Sequence, residues 1–342
     1  MSTPTPTPAL RSVAPSVDAA VSHVVRSLTW LTWSWRRVVL VRRGDDRFWE
    51  RLCESLDRAG VATRDVALPV GDRMPRYHPD ALAALEAAPG PGDLVIHHDP
   101  CVPAAAAGGC DDVRALLATG AALVALEFPA GPLGGGRLRE AYLRALSEPV
   151  SRVDGSATAV ARAIRTACGL AVHTATTRLA IGGAVDVAAD RTAPDRGHQV
   201  LQLPLGEVWL LPDPAAVTGT VQVQRGQRRT DQLRIEGGHV VGRAWSHGRL
   251  VEVGIGLNPR AAALPTALGE KARGRLHLGF GDADLIGGTV TGPSHVDLYL
   301  SGDSRLIVTL PGAGPADLGD LLEHRPAGGR ARGAAEGGHG LP

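Results

Sequence analysis

The chain has 342 residues, 44% of them hydrophobic, which supplies the apolar surface for two packed domains and excludes a disordered protein. Its 36 lysines and arginines stand against 35 acids, so no net field gathers nucleic acid or an acidic membrane, and recognition must be local. No apolar run approaches the ~20 residues of a membrane span, and Met1 to Ala14 lacks the charged and apolar regions of a signal peptide, so the expected compartment is the cytoplasm.

Residues 1–14 form a Pro/Thr-rich arm expected to stay disordered, and residues 15–150 read as an N-terminal α/β domain. Val38 to Val41 is a short apolar strand, Arg47 to Ala59 an amphipathic helix stopped by Gly60, and Val61 to Leu68 a second strand. The alternation continues with Pro79 to Ala88 as helix, Asp93 to His97 as strand, Asp111 to Thr119 as helix and Ala121 to Leu126 as strand, which implies a parallel sheet covered by helices. Trp30, Trp33 and Trp35 suit a short N-terminal helix packed on that sheet, or a lid or dimer contact. His97, His98 and Asp99 end a strand, but adjacent strand residues point to opposite faces, so the two histidines cannot serve one site. Gly134 to Gly136 follows no strand and precedes no phosphate-loop lysine, which excludes nucleotide binding there. Cys53, Cys101, Cys110 and Cys168 show no CxxC pair, against both a disulfide framework and a thiolate zinc site.

The character changes between Pro149 and Gly155. After a helix over Ala157 to Cys168, strands alternate polar and apolar residues between turn pairs such as Gly182-Gly183 and Gly237-Gly238, with one further helix at Pro265 to Arg273. Residues 151–322 are therefore expected to form a β-rich α+β C-terminal domain, followed by a disordered Gly/Arg-rich tail, 323–342.

Acids and histidines with functional potential cluster between Leu203 and Tyr299, in LPLGEV (Leu203 to Val208), VEVGIGLNP (Val251 to Pro259), EKARGRLHLGFGD (Glu270 to Asp282) and SHVDLYL (Ser294 to Leu300). Each places a carboxylate or imidazole in apolar surroundings, where an ionised group is costly unless paired or coordinated. His295 and Asp297 are one residue apart in a strand and share a face, so both can reach one ion, although an exposed polar edge would show the same pattern. His277, among Leu276, Leu278 and Phe280, reads as a ligand or as a satisfied core histidine, and Glu207 and Glu252 read as ligands or as the solvent side of half-buried strands. Together the five form an oxygen and nitrogen set without thiolate, suited to one or two divalent ions, Zn, Mn or Co, and to attack by a metal-activated water. Glu207 is the candidate general base if it is not a ligand. Arg260, Lys271 and Arg273 are nearby cations that could hold a substrate carboxylate or be solvated surface charges.

In this order the four segments resemble the thermophilic aminopeptidase family of metallopeptidases, aminopeptidases T and S, whose motifs read NLPxGEV, GExGxGxNP, DEKxxGTxHxAxG and SxxHxD. The resemblance covers about residues 155–310, with Pro212 and Gly219-Thr220 also in register, and implies that Glu207, Glu252, His277, His295 and Asp297 fall on the family's metal positions. It also implies an aminopeptidase-like metallohydrolase acting on a small peptide or amide, and a homodimer, for which the apolar strands around Val221 to Val223 and Leu298 to Leu300 would need cover. The chain departs from the pattern at Gln202, at Thr309 to Pro311, and between Asp282 and Ser294, where a short Gly-rich stretch carries no tyrosine in place of the family's longer, tyrosine-bearing insertion. A second branch is similar to 2,5-dihydroxypyridine dioxygenase; by that resemblance His277, His295 and Asp297 would form a facial triad for Fe(II), while retained Glu252 and Glu207 favour the hydrolase arrangement. A metal-poor biosynthetic accessory protein on the same scaffold is the third reading.

Overall fold

A computed structural model describes residues 17–32, 35–43, 47–68, 79–84, 87–97, 109–126, 136–190, 200–225, 229–261, 267–292 and 294–323. The arm 1–14, the tail from 324 on, Trp33, His98, Asp99, Cys101, Gly134, Gly135 and the Trp30 and Cys110 side chains lie outside that description.

The N-terminal elements are α1 (Val17–Thr32), β1 (Arg37–Arg43), α2 (Arg47–Arg58), β2 (Thr63–Leu68), α3 (Pro79–Ala84), β3 (Asp93–His97), α4 (Gly109–Ala118), β4 (Ala122–Leu126), α5 (Gly136–Leu146) and α6 (Val150–Arg165). The chain continues through β5 (Gly169–His173), β6 (Arg178–Ile181), β7 (Val185–Ala189), β8 (Val200–Leu203), β9 (Glu207–Pro212), β10 (Val217–Arg225), β11 (Arg229–Glu236) and β12 (His239–Val241). It closes with β13 (Leu250–Gly256), α7 (Ala267–Lys271), β14 (Leu276–Gly281), β15 (His295–Tyr299), β16 (Arg305–Thr309), β17 (Pro315–Asp317) and α8 (Leu318–Glu323).

The apolar strands of the first half pair in parallel in the order β2-β1-β3-β4-β8. Helices cover both faces: α1, α2 and α5 bring Val21, Val24, Leu52, Leu56 and Leu143 to one core, while α3 and α4 bring Leu82, Val113 and Leu116 to the other. Every residue of β3 is consequently buried, His97 included.

Two features cross the expected boundary. Helix α6 starts at Val150 rather than Ala157 and links the two halves: Val153 packs in the first core, whereas Ala157, Val160 and Ile164 pack in the second. Strand β8, inside the segment assigned to the C-terminal domain, returns to the parallel sheet and pairs with β4. A four-residue apolar strand carries no signal for which sheet it joins.

The rest is antiparallel and β-rich. A seven-stranded sheet, β12-β11-β10-β6-β5-β16-β17, packs against a five-stranded sheet, β15-β14-β13-β9-β7. Val172, Leu179, Val221 and Val223 of the first meet Val208, Leu210, Val253, Leu278 and Phe280 of the second. Val221, Val223 and Leu300 are thus covered within the chain and need no second copy to bury them.

Candidate metal centre

The five-stranded sheet buries one face in that core and turns the other to the candidate residues. Period-two alternation places Glu207 on β9, Glu252 on β13, His277 on β14 and His295 and Asp297 on β15, four successive strands. Glu252 reaches this face through a bulge: Leu250 pairs with Phe280 and Glu252 with the next residue, Gly279, so Val251 is the extra residue. Without it, Glu252 would follow Leu250 into the core.

Each candidate lies opposite a glycine on the neighbouring strand. Gly254 pairs with His277, Gly256 with Glu207, Gly279 with both Glu252 and Asp297, and Gly281 with His295. A Cβ on Gly254 would overlap the His277 ring, and one on Gly279 would stand 2.7 Å from both Glu252 Oε2 and His295 Nε2. The glycines in VEVGIG and LHLGFG are the spaces that these side chains fill.

The five converge in two overlapping sets, Glu207, Glu252 and His277, and Glu252, His295 and Asp297, each offering one ligand atom per residue within 4.8 Å of the others. His277 Nε2 lies 3.0 Å from Glu207 Oε1 and 3.3 Å from Glu252 Oε1. His295 Nε2 lies 2.9 Å from Glu252 Oε2 and 3.0 Å from Asp297 Oδ1. Glu252 therefore spans the sets with its two oxygens. The first set is buried, while the His295 and Asp297 side chains keep 19% and 24% of their surface open, so the centre communicates with solvent along β15.

Lys271, expected among solvated cations or substrate contacts, is fully buried instead and is the chain's one lysine beside 35 arginines. Its Nζ lies 2.8 Å from Asp190 Oδ2 and 2.5 Å from Glu207 Oε2. Arg260 pairs with Glu148 at 2.9 Å, and Arg273 is exposed. Among the described residues four carboxylates (Asp190, Glu207, Glu252, Asp297) thus share one ammonium, a surplus of negative charge in a largely buried site that protons or cations must balance. The imidazoles respond to it. Burial lowers the His277 and His295 pKa, but the facing carboxylates, Glu207 at His277 and Asp297 at His295, outweigh it and hold both well above 6.5. Burial raises the Glu207 carboxyl, and Lys271 and His277 overcome that to hold it at about 2; burial dominates at Asp190, which rises to about 6 against the pull of Lys271.

Sequence reasoning overlooked several supporting residues. Asn258 is buried, donates to Leu205 O at 2.8 Å and Ala145 O at 3.1 Å, and so ties the segment entering Glu207 to the end of α5. Asp282 turns its carbonyl to His295 Nδ1, while its carboxylate accepts from Gly292 N at 2.8 Å and from Arg114 on α4. Trp209, on the ligand face, donates from Nε1 to Ile286 O at 2.9 Å, and Tyr299 donates to buried Glu270 at 2.9 Å. The rarity of lysine is a signal that could have singled out Lys271, which sequence reasoning placed among solvated cations or substrate contacts; the other pairings join distant segments and left no local pattern.

No protein-family model matches the chain, and neither does any curated protein. Among solved structures, wild-type AmpT from Thermus thermophilus matches with a TM-score of 0.59 and 19% identity, covering 89% of this chain and 98% of that one. A match to a Burkholderia pseudomallei protein, with a TM-score of 0.23, 16% identity and coverage of 49% and 66%, is too weak to carry any argument. An α/β part with a parallel sheet, joined to a β-rich part of antiparallel sheets, is therefore the fold this chain shares with AmpT.

Proposed function

We propose that the chain is a metal-dependent, aminopeptidase-like hydrolase that cleaves a peptide or amide bond in a small substrate. The observation that carries this reading is the pair of ligand sets sharing Glu252. The surplus of carboxylates over ammonium and the all oxygen and nitrogen donor set fit two divalent cations of the Zn, Mn or Co type. Glu207, Glu252 and His277 would hold the inner ion, and Glu252, His295 and Asp297 the outer one. When bound, such ions supply Lewis acidity and lower the pKa of water.

The chain's own groups then have distinct tasks. Glu207, with Oε2 taken by Lys271, offers its remaining oxygen as a ligand, which replaces the base role considered from sequence. The closed inner set excludes water, and the half-open His295 and Asp297 side admits the substrate carbonyl. The iron dioxygenase reading would need open positions beside His277, His295 and Asp297, whereas Glu252, 3.3 Å and 2.9 Å from the two imidazoles, would add a further carboxylate donor to that set. An accessory role without metal would leave the surplus to be balanced by protons on His277, His295 and Asp190 alone, and protein purified without chelator would then hold no stoichiometric metal. A homodimer in the cytoplasm belongs to the same proposal, supported by the family resemblance, and light scattering that reports a monomer would remove the dimer.

The test is metal analysis of protein purified without chelator, combined with turnover of aminoacyl amides and short peptides in air and under nitrogen. We expect about two equivalents of Zn, Mn or Co, oxygen-independent turnover, and a loss of ~100-fold or more in Asp297→Ala and His295→Ala together with loss of the outer ion. A requirement for ferrous iron and O2 would overturn the reading.

A further inference from the structure

The one lysine stands out on two independent grounds. A chain that meets 35 of its 36 cationic positions with arginine keeps lysine only at 271, and there the side chain is entirely buried. The environment explains the choice. Asp190 and Glu207 present single oxygens, Oδ2 and Oε2, to one point between β7, β9 and α7, at 2.8 Å and 2.5 Å from Nζ. A compact ammonium with tetrahedral donors fits between two such oxygens, whereas a planar guanidinium needs a wider space and matches the two oxygens of one carboxylate. Asp190 is anchored in turn, accepting from Gly206 N at 3.3 Å, and Gly206 directly precedes Glu207. Glu207 is thereby held at its side chain and at the backbone before it, with Oε1 alone left facing His277.

We infer that Lys271 is a positioning residue, which with Asp190 ties back one oxygen of Glu207 and makes that carboxylate a one-oxygen ligand of the inner ion. This rests on the metal reading above. It assigns Lys271 neither substrate binding nor proton transfer, since its ammonium is enclosed by carboxylates and has no access to the open side at β15.

The experiment is a Co(II) titration of chelator-treated full-length protein by calorimetry and visible absorption, run beside urea unfolding, on wild type, Lys271→Arg, Lys271→Met and the double variant Lys271→Met/Asp190→Asn. Lys271→Met strands two buried carboxylates and should fold poorly; the double variant removes one of the stranded charges and should regain much of the stability. For wild type we expect two equivalents of Co(II). For Lys271→Arg and the double variant we expect the inner ion to bind on the order of 10–100-fold more weakly, with the outer ion little changed. A double variant that recovers full Co(II) affinity along with its stability would show that the lysine only neutralises charge, and would overturn the inference, as would wild-type affinity in Lys271→Arg. No Co(II) uptake by wild type would instead remove the metal reading and this inference with it.

Discussion

His277 and His295 each direct Nε2 at two carboxylates, and this fixes how the metal-free protein responds to pH. Both pKa values lie well above 6.5, so the protonated imidazoles stabilise the fold fully below about pH 6.5, and that contribution is lost as pH rises through their folded values. Asp190, raised from 3.8 to about 6, adds to the loss, because the folded state disfavours its ionised form. Glu207 and Glu252 act in the opposite sense: both are held below 4.5, and their contribution disappears as pH falls below that value. Because the Asp190 loss accrues between 3.8 and about 6 and the imidazole loss above 6.5, chelator-treated protein should be most stable at roughly pH 4–5 and melt at lower temperature through neutral pH. Thermal melts across the range measure this, and a Tm that climbs from about pH 6 to about pH 8 would contradict it. Metal-loaded protein should behave in reverse above neutrality, since coordination requires neutral imidazoles and releases their protons.

Strands β13 and β14 show why glycine counts as a site residue here. Among the described residues His277 Nδ1 is buried without a hydrogen-bond partner, so apart from the carboxylates at Nε2 its ring is held by packing over Gly254. Gly254→Ala should displace that ring and weaken inner-ion binding on the order of 10–100-fold, with the circular dichroism spectrum unchanged. Unaltered Co(II) affinity would show that the ring has room to adapt. His295 is held differently, by the Asp282 carbonyl, and Asp282 is held by Arg114 from the other half of the molecule. Arg114→Gln should leave a buried carboxylate without its cation, costing about 1–3 kcal/mol in urea unfolding, and should weaken the outer ion rather than the inner one. Selective loss of the inner ion would refute this assignment.

Across the whole molecule, the two halves are interleaved instead of joined end to end. Strand β8 completes the parallel sheet, filling one core with Leu201 and Leu203, and from its end the chain passes through Pro204 to Gly206 into Glu207. Helix α6 contributes to both cores, and Leu285, in the turn after β14, packs against the second core of the parallel sheet. A fragment ending at residue 190 would keep four strands of that sheet but expose the edge of β4 and leave apolar side chains uncovered. We expect it to aggregate or to unfold without cooperativity, and a monomeric fragment with a sharp urea transition would show that the first half is an autonomous domain. On this account the parallel sheet forms one wall of the centre, through Arg114 and the Leu285 turn, besides supporting it.

Much of this was legible in the chain. Helix and strand periodicity sufficed for the alternation from Val38 to Leu126 and for the change to antiparallel strands after Leu170, because both signals are local and run over several residues. The five residues of the candidate centre showed locally as carboxylates and imidazoles set among Val, Leu and Gly, each open to an ordinary strand reading, and it was their joint order and the resemblance it carries that grouped them as one site. Only the tertiary structure decided what surrounds them. It buried Lys271 between Asp190 and Glu207, brought Arg114 to Asp282 across 168 positions, and sent β8 back to the parallel sheet. It also turned Glu252 outward through a one-residue bulge and made glycines the counterparts of the ligands. These outcomes depend on which strand lies beside which, and strand pairing between distant segments is set by the packing of whole sheets, which no local pattern encodes.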